Sequence, residues 1–324
     1  MTREGILVTG GAGFIGSHLV TRLLSEGQSV RVVDNLSTGY RDNLGAVMDQ
    51  IDFHEADIRD PRVCSRVVTG IDVIFHVAAL PSVARSMADP METHSVNATG
   101  TLNLLEAARN AGVRRFIYSG SSSAYGDTPD LPKAERAEPL PRSPYAASKL
   151  SGESYTLAYA RASLLEGVAL RYFNVFGPRQ DPNGPYAAIV PLLFRAAIDG
   201  TPITIFGDGN QTRDFTYITN VVDANVLAAT GQASRVSGHV LNVGAGARTS
   251  LLELASMVEE VTGRAILRQH AQSRPGDVRD SQASLDRARA VLGYRPEVTV
   301  REGIERLWNS VFAQTRSTPM TAAD

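Results

Sequence analysis

Tyr145-Ala146-Ala147-Ser148-Lys149 sets a phenol and an amine four residues apart, which is one face of a helix if the stretch is helical. A free tyrosine titrates near pH ~10, so accepting a proton near neutrality needs a shift of about 3 units, roughly 4 kcal/mol. An adjacent ammonium supplies part of that shift. The pair alone is common by chance, and its plain alternative is an aromatic packed beside a surface lysine. Ser121, Ser122 and Ser123 follow the apolar run Phe116-Ile117-Tyr118. Hydroxyls at the C-terminal end of a parallel strand face the crevice where ligands bind. A serine there can hydrogen-bond a substrate hydroxyl and relay its proton to Tyr145. A serine-rich loop satisfying its own backbone is the alternative.

A second group of residues suits a dinucleotide. Thr9-Gly10-Gly11-Ala12-Gly13-Phe14-Ile15-Gly16 lies between a strand-like and a helix-like segment. Glycines at 10, 13 and 16 let a tight turn bring backbone close to a pyrophosphate, and the helix start offers N–H groups to it. The strand–turn–helix context gives this pattern its weight. Asp34 closes the next strand, placed to accept from an adenosine ribose and to repel a 2′-phosphate, which favours NAD over NADP. An Asx-turn is its alternative, since Asn35 and Ser37 follow. Asp57-Ile58, after the third strand, is placed to touch the adenine.

These residues need a scaffold, and the pattern supplies one. Strand-like runs at Ile6–Val8, Val30–Val33, Ile51–Phe53, Val73–Phe75, Phe116–Tyr118 and Gly167–Leu170 alternate with helical stretches at Ser17–Glu26, Leu102–Ala111 and Ala146–Ala160. Such alternation predicts an α/β fold, a doubly wound parallel sheet of the Rossmann kind. After about Asn174 the pattern loosens, with a loop signal over 177–185. Val240–Val243 reads as a late strand returning to the sheet, and Ser250–Thr262 as a helix with Ser250 and Glu253 forming a capping box. The expected division is 1–174 as the NAD-binding domain with a return segment near 215–247. Residues 175–214 and 248–315 form a smaller substrate-binding lobe, and 316–324 a flexible tail.

Composition narrows the function classes. A chain of 324 residues with 43% hydrophobic and 20% charged residues can bury a large core. A net charge of −2 gives no electrostatic footprint for nucleic acid. The single cysteine, Cys64, forms neither an internal disulfide nor a multi-cysteine zinc site, so no metal is expected. No signal-peptide core or membrane span is expected, because the most apolar stretch, Val73–Leu80, is too short. The expected setting is the cytoplasm.

Together these segments resemble the extended short-chain dehydrogenase/reductase family, in its nucleotide-sugar epimerase and dehydratase branch. The resemblance runs over Thr9–Leu19, Asp34–Gly39, His76–Ala79, Asn97–Thr101, Ser121–Gly126 and Tyr145–Lys149. It continues through Arg171–Gln180, Gly207–Gly209, Arg213–Phe215 and Arg274–Arg279. It implies tightly held NAD along Gly10, Gly13, Phe14, Ile15, Gly16, Asp34, Asn35, Ser37, Thr38, Gly39, Asp57, Ile58, Ala78, Ala79 and Asn97, together with Tyr145 and Lys149. It implies Tyr145 as base, Lys149 as its tuner, and Ser121 as hydroxyl partner flanked by Ser122 and Ser123. The implied substrate is a nucleotide-diphosphosugar, a UDP-sugar, met by Ser82, Arg85, Asn174, Val190, Phe206, Arg213, Arg274, Asp277 and Ser281.

The branch begins by oxidising C4 of the sugar, and its members then diverge. The 4,6-dehydratases carry Asp-Glu after the catalytic hydroxyl residue; here Ser122 and Ser123 stand there, which disfavours that elimination. Arg85 keeps a uronate epimerase or decarboxylase open, and a non-catalytic NAD sensor is a further alternative. Ser281, four residues after Asp277, takes the place of a bulky tyrosine in restrictive members and leaves room for a 2-acetamido group. Pro81–Ser86 and Arg179–Gly184 also resemble the UDP-N-acetylglucosamine 4-epimerases. The resulting expectation is a UDP-N-acetylhexosamine 4-epimerase, with a UDP-hexosamine dehydratase as its rival. A homodimer is expected through a four-helix seam built from the helices near 99–111 and 146–160, using Leu150, Tyr155, Leu157 and Ala158.

Overall fold

Along the first strand, β1 (Gly5–Thr9), Ile6 and Val8 point to one side and Leu7 to the other, and all three are buried. A strand apolar on both faces needs a layer of helices on each. The computed structural model describes residues 5–181, 187–272 and 278–316 and supplies those layers. The sheet continues through β2 (Ser29–Asp34), β3 (Asp52–Glu55), β4 (Ile71–His76), β5 (Arg115–Ser121) and β6 (Glu166–Tyr172). A seventh strand, Val240–Val243, joins beside β6. The order is Val240–Val243, β6, β5, β4, β1, β2, β3, with every pairing parallel.

One face is covered by α1 (Phe14–Ser25), whose Leu19, Val20 and Leu23 pack with Ile6, Val8 and Phe75. The other is covered by α2 (Pro61–Val67), then, after α3 (Val83–Ala88) and α4 (Pro90–His94), by α5 (Gly100–Ala111) and α6 (Pro144–Arg161). On that side Leu7, Ile74 and Phe116 meet Cys64, Leu104, Leu105 and Leu157. Crossing from β1 to β4 reverses the winding direction, and the crevice at that switch point opens at the strands' C-terminal ends.

The second half packs over those ends. It contains α7 (Ile189–Asp199) and α8 (Ile218–Thr230), three two-stranded pairs, and the helix Leu251–Thr262. That helix starts with the expected capping box between Ser250 and Glu253. α8 returns to the main sheet, where buried Arg115 of β5 donates to the carbonyls of Ala228, Ala229 and Gly231. Those carbonyls end the helix and would otherwise lack partners.

Three local differences from the sequence reading matter. α1 begins at Phe14 rather than Ser17, so Gly16 lies inside the helix and Gly13 is its N-cap. Residues 41–50 form 3₁₀ turns, for which the sequence carried no periodic signal. The helices α2 and α4 begin on capping aspartates, Asp60 and Asp89. Among the described residues, no helix is long and apolar enough to cross a membrane.

Candidate active site

A cavity of about 1420 Å³ opens over the switch point. Drug-sized ligand pockets run about 300–1,000 Å³, so this one has room for a dinucleotide and a second ligand.

The glycine loop forms one wall, and its three glycines do different work. Gly10 has φ +68, and a Cβ on it would lie 2.7 Å from the Ala78 backbone. A Cβ on Gly16 would lie 2.1 Å from the Gly10 carbonyl oxygen. Both are required by the protein's own packing. Gly13 is different, because a Cβ there would meet only the Gly10 oxygen at 3.2 Å. Its bareness leaves space on the cavity side, where Phe14, Ile15 and Gly16 also line the wall. No side chain caps the start of α1, so its first N–H groups and the positive end of its dipole remain for an anion.

Asp34 closes this wall, 8% exposed, with one oxygen accepting from Ala12 N (2.9 Å) and the other from Leu36 N (2.8 Å). The Asx-turn is therefore present, and each carboxylate oxygen keeps acceptor capacity for a ribose hydroxyl. Asn35, Ser37 and Thr38 line the cavity beside it. Gly39 does not: it passes close to Ala12, and the neighbouring Tyr40 N–H bonds the Ala12 carbonyl. Asp57 and Ile58 lie in the wall, although Asp57 is engaged by Arg59 and Asn35.

Ala78 and Ala79 form the next stretch of wall, fixed from behind by a buried relay. Thr101 gives its hydrogen to the Asn97 carbonyl, so His76 Nε2 donates to Thr101 (2.8 Å) while Nδ1 accepts from Thr9 (2.7 Å). Thr9 in turn accepts from Ala78 N (3.2 Å). Burial holds His76 neutral, with its pKa down at about 3. Asn97 is a correction. It is 1% exposed, away from the cavity wall, with its amide spent on both backbone groups of Leu80 and on Ser148. Its work is to support the wall from behind.

α6 carries the expected proton-transfer pair. Ser143 caps it, accepting from Ala146 N at 3.1 Å, and Pro144 takes the first turn. Tyr145 and Lys149 both line the cavity. The helix lies so close to β5 that a Cβ on Gly152 would be 2.5 Å from the Tyr118 hydroxyl. That hydroxyl donates to the Lys149 carbonyl (2.9 Å), and Lys149 Nζ stands 4.6 Å over the Tyr118 ring. The Ser121 hydroxyl pulls the Tyr145 phenol down, toward its anionic form. Ser123 shares a hydrogen bond with Ser121 (2.8 Å) and Ser122 opens the one-turn helix beside them. None of the three serines is in the cavity wall, and of them Ser121 is the one whose hydroxyl acts on Tyr145.

The expected lowering of the Tyr145 phenol is not a property of the pocket alone. Burial raises it, against the pull of Ser121. Burial also brings Lys149 down to about 7, partly offset by Glu153. Both groups are thus poised toward their neutral forms, and a positive charge brought into the cavity is what would favour the phenolate.

The rest of the wall comes from the start of α3 and from the second half of the chain. Ser82, Arg85, Asn174, Phe206 and Arg213 all line the cavity. Val190 does not: it is 1% exposed in the core, while Ile189 and Leu192 of α7 face the cavity. Val190 and Ile189 are neighbours on α7, and the phase of the helix turns Val190 into the core. Ser281 is buried and outside the wall, its N–H bonded to the Thr212 carbonyl (3.1 Å). Arg274 and Asp277 lie outside the described residues. The sequence reading missed Gln180, Arg195 and Gln211, which also line this side. It missed a hydrogen bond at the rim as well, from Tyr40 to Asp181 (2.8 Å), where only fold-level contact pairs the two. Among the described residues, no cluster of His, Cys, Asp and Glu could hold a metal ion.

Residues 6–244 match the model of the NAD dependent epimerase/dehydratase family. The chain is 42% identical over 309 residues to a UDP-glucose 4-epimerase of Mycolicibacterium smegmatis, covering 93% of this chain and 96% of that protein. Its structure is similar to that of a UDP-glucose 4-epimerase from Thermotoga maritima with UDP-glucose. The TM-score is 0.91 at 37% identity, over 96% of this chain and 99% of the other. It is also similar to a UDP-N-acetylglucosamine 4-epimerase from Methanobrevibacter ruminantium in complex with UDP-N-acetylmuramic acid. There the TM-score is 0.90 at 35% identity, over 97% and 100% of the two chains.

The glycine geometry separates a ligand contact from a packing contact. Gly13→Ala should melt like the wild type while losing at least about tenfold in NAD affinity, roughly 1.4 kcal/mol. Gly16→Ala should cost about 1–3 kcal/mol of stability through overpacking. Thermal melting and calorimetric titration of apoprotein measure both, and wild-type NAD affinity in Gly13→Ala would contradict the assignment.

Proposed function

Since the chain belongs to the NAD dependent epimerase/dehydratase family, we propose that it inverts C4 of a UDP-hexose through a 4-keto intermediate. The observation that carries this reading is one cavity lined by the glycine loop and Asp34, by Tyr145 and Lys149, and by Asn174 and Arg213. Bound NAD supplies a hydride acceptor and donor and, when oxidised, a positive charge.

The chain's own residues supply the rest. Backbone N–H groups at the start of α1 receive the pyrophosphate, and Asp34 the adenosine ribose. Tyr145 takes the proton from the C4 hydroxyl and later returns it. Ser121, whose hydroxyl lowers the Tyr145 phenol, steadies the phenolate and passes the proton. The Lys149 ammonium favours the phenolate across the same helical face. Arg213 suits the diphosphate because a planar guanidinium meets two phosphate oxygens at once. Inversion requires the planar C4 carbonyl to present its other face, so binding must be firm at the nucleotide and loose at the ring.

Elimination finds little support. Ser122 and Ser123 are poor acids and bases, and Ser123 is already bonded to Ser121. Proton NMR of the enzyme with UDP-glucose or UDP-N-acetylglucosamine decides between the reactions. A second anomeric set with an axial C4 hydroxyl is expected, and a vinylic or 6-deoxy product would contradict the reading. Tyr145→Phe should keep the fold and NAD but fall by at least about 10²-fold in turnover.

The finer reading is that a 2-acetamido group is accepted beside the plain hexose. A serine at 281 that stays behind the cavity wall supports it, since nothing bulky projects from that position. Ser281→Tyr should then depress kcat/KM for UDP-N-acetylglucosamine by about tenfold or more relative to UDP-glucose. Equal losses for both substrates would remove Ser281 as the gate.

The homodimer is proposed on a narrower face than the sequence suggested. Leu157 packs inside the chain against the sheet. Tyr155 is 39% exposed, beside an open groove formed with Pro141, Ala147 and Leu150. Two such α6 faces fit a seam about a two-fold axis, and a cytoplasmic setting fits the single thiol. Light scattering at micromolar concentration should give twice the chain mass, and Tyr155→Glu a single one. A monomeric wild type would contradict the seam.

A further inference from the structure

Glu153 follows Lys149 by one helical turn on α6, and it is buried. Its carboxylate is held by two parallel hydrogen bonds from Arg171 of β6, Nε at 2.8 Å and Nη2 at 2.6 Å. Arg171 is 2% exposed, and its guanidinium lies 4.5 Å over the Tyr125 ring. Tyr125 donates to Asn242 (2.7 Å) in the strand Val240–Val243, so the pair is locked between α6 and the sheet. Burying two charges is costly, and a buried ion pair rarely adds to net stability over an apolar pair of similar volume. Stability alone therefore gives weak reason for this pair.

Its position gives a stronger one. The titratable groups around Lys149 are Tyr145 and Glu153 on its own helix, Tyr118 from β5 and His76 from β4. His76 is neutral, and burial drives the Tyr118 phenol up, so neither carries charge near neutrality. Glu153 is the anion of the group, and Arg171 fixes its oxygens in place.

We infer that Glu153, clamped by Arg171, is a positioning residue for the proton transfer: the pair sets the place and charge of the Lys149 ammonium and, through it, the basicity of Tyr145. This rests on the reading of Tyr145 and Lys149 as the proton-transfer pair. The carboxylate favours the ammonium, while the guanidinium behind it cancels most of the charge that would disfavour a phenolate at Tyr145. The sign of the effect follows. Glu153→Gln leaves the Arg171 cation uncompensated, so the ammonium is lost at lower pH and the phenolate forms at lower pH.

The test is the pH profile of kcat/KM for UDP-sugar epimerisation by the NAD-loaded enzyme. In Glu153→Gln both limbs should move to lower pH, by about one unit. In the doubly substituted Glu153→Gln, Arg171→Met enzyme both charges are gone, so the limbs should lie between those of Glu153→Gln and those of the wild type. If Glu153→Gln does not fold, Arg171→Met alone should move the limbs the other way. If neither folds, a double variant whose limbs lie below those of the wild type sustains the inference and one with wild-type limbs overturns it. A Glu153→Gln profile lowered in height with its limbs in place makes the pair merely structural and overturns the inference. A wild type that turns over no UDP-sugar, or a Tyr145→Phe that stays active, removes the underlying reading instead.

Discussion

The closeness of α6 to β5 is the constraint on which the rest depends. Gly152 leaves no room for a side chain over Tyr118, and the Tyr118 hydroxyl bonds the Lys149 backbone. That contact fixes the height and rotation of the helix over the strand's end. Tyr145, Lys149 and Glu153 then follow from helical spacing alone, one turn apart. The same strand ends in Ser121, whose hydroxyl pulls the Tyr145 phenol down. A parallel sheet with helices on both faces offers such a strand end only at its C-terminal edge, where the glycine loop of β1 also opens.

Burial has opposite consequences in the two halves of the site. On the glycine-loop side it leaves backbone exposed to the cavity: a helix start that no side chain caps, glycines without side chains, and a carboxylate steadied by two N–H donors. On the chemical side it raises the cost of every charge. Tyr145 is held up and Lys149 is held down by the same desolvation. A site poised toward neutral groups responds strongly when a charge enters, because the low dielectric that penalises the phenolate also strengthens its attraction to a nearby cation.

Much of this was legible in the residues because local chemistry and global fold agreed. The run Ile6-Leu7-Val8 forms a doubly buried strand, the glycine loop follows it, and Tyr145 to Lys149 is helical with both side chains on one face. What escaped was whatever depends on tertiary packing. Asn97 is expected at the cofactor from its segment, yet its amide is consumed by Leu80 and Ser148. Val190 and Ile189 differ by one step of helical phase, and only the packing of α7 decides which faces the cavity. Asp34 shows that two readings need not exclude each other, since the turn it makes leaves its oxygens able to accept again. The Glu153–Arg171 pair spans 18 residues of sequence, and nothing local announces it.

The central claim is that C4 of the sugar loses and regains the same hydrogen inside one cavity, with Tyr145 handling only the proton. A UDP-hexose carrying deuterium at C4 tests it most directly. After epimerisation in ordinary water, mass spectrometry and NMR should find the deuterium still at C4 of the inverted product, with none lost to solvent. Loss of the label to water would mean that C4 is deprotonated rather than oxidised, and would contradict the account.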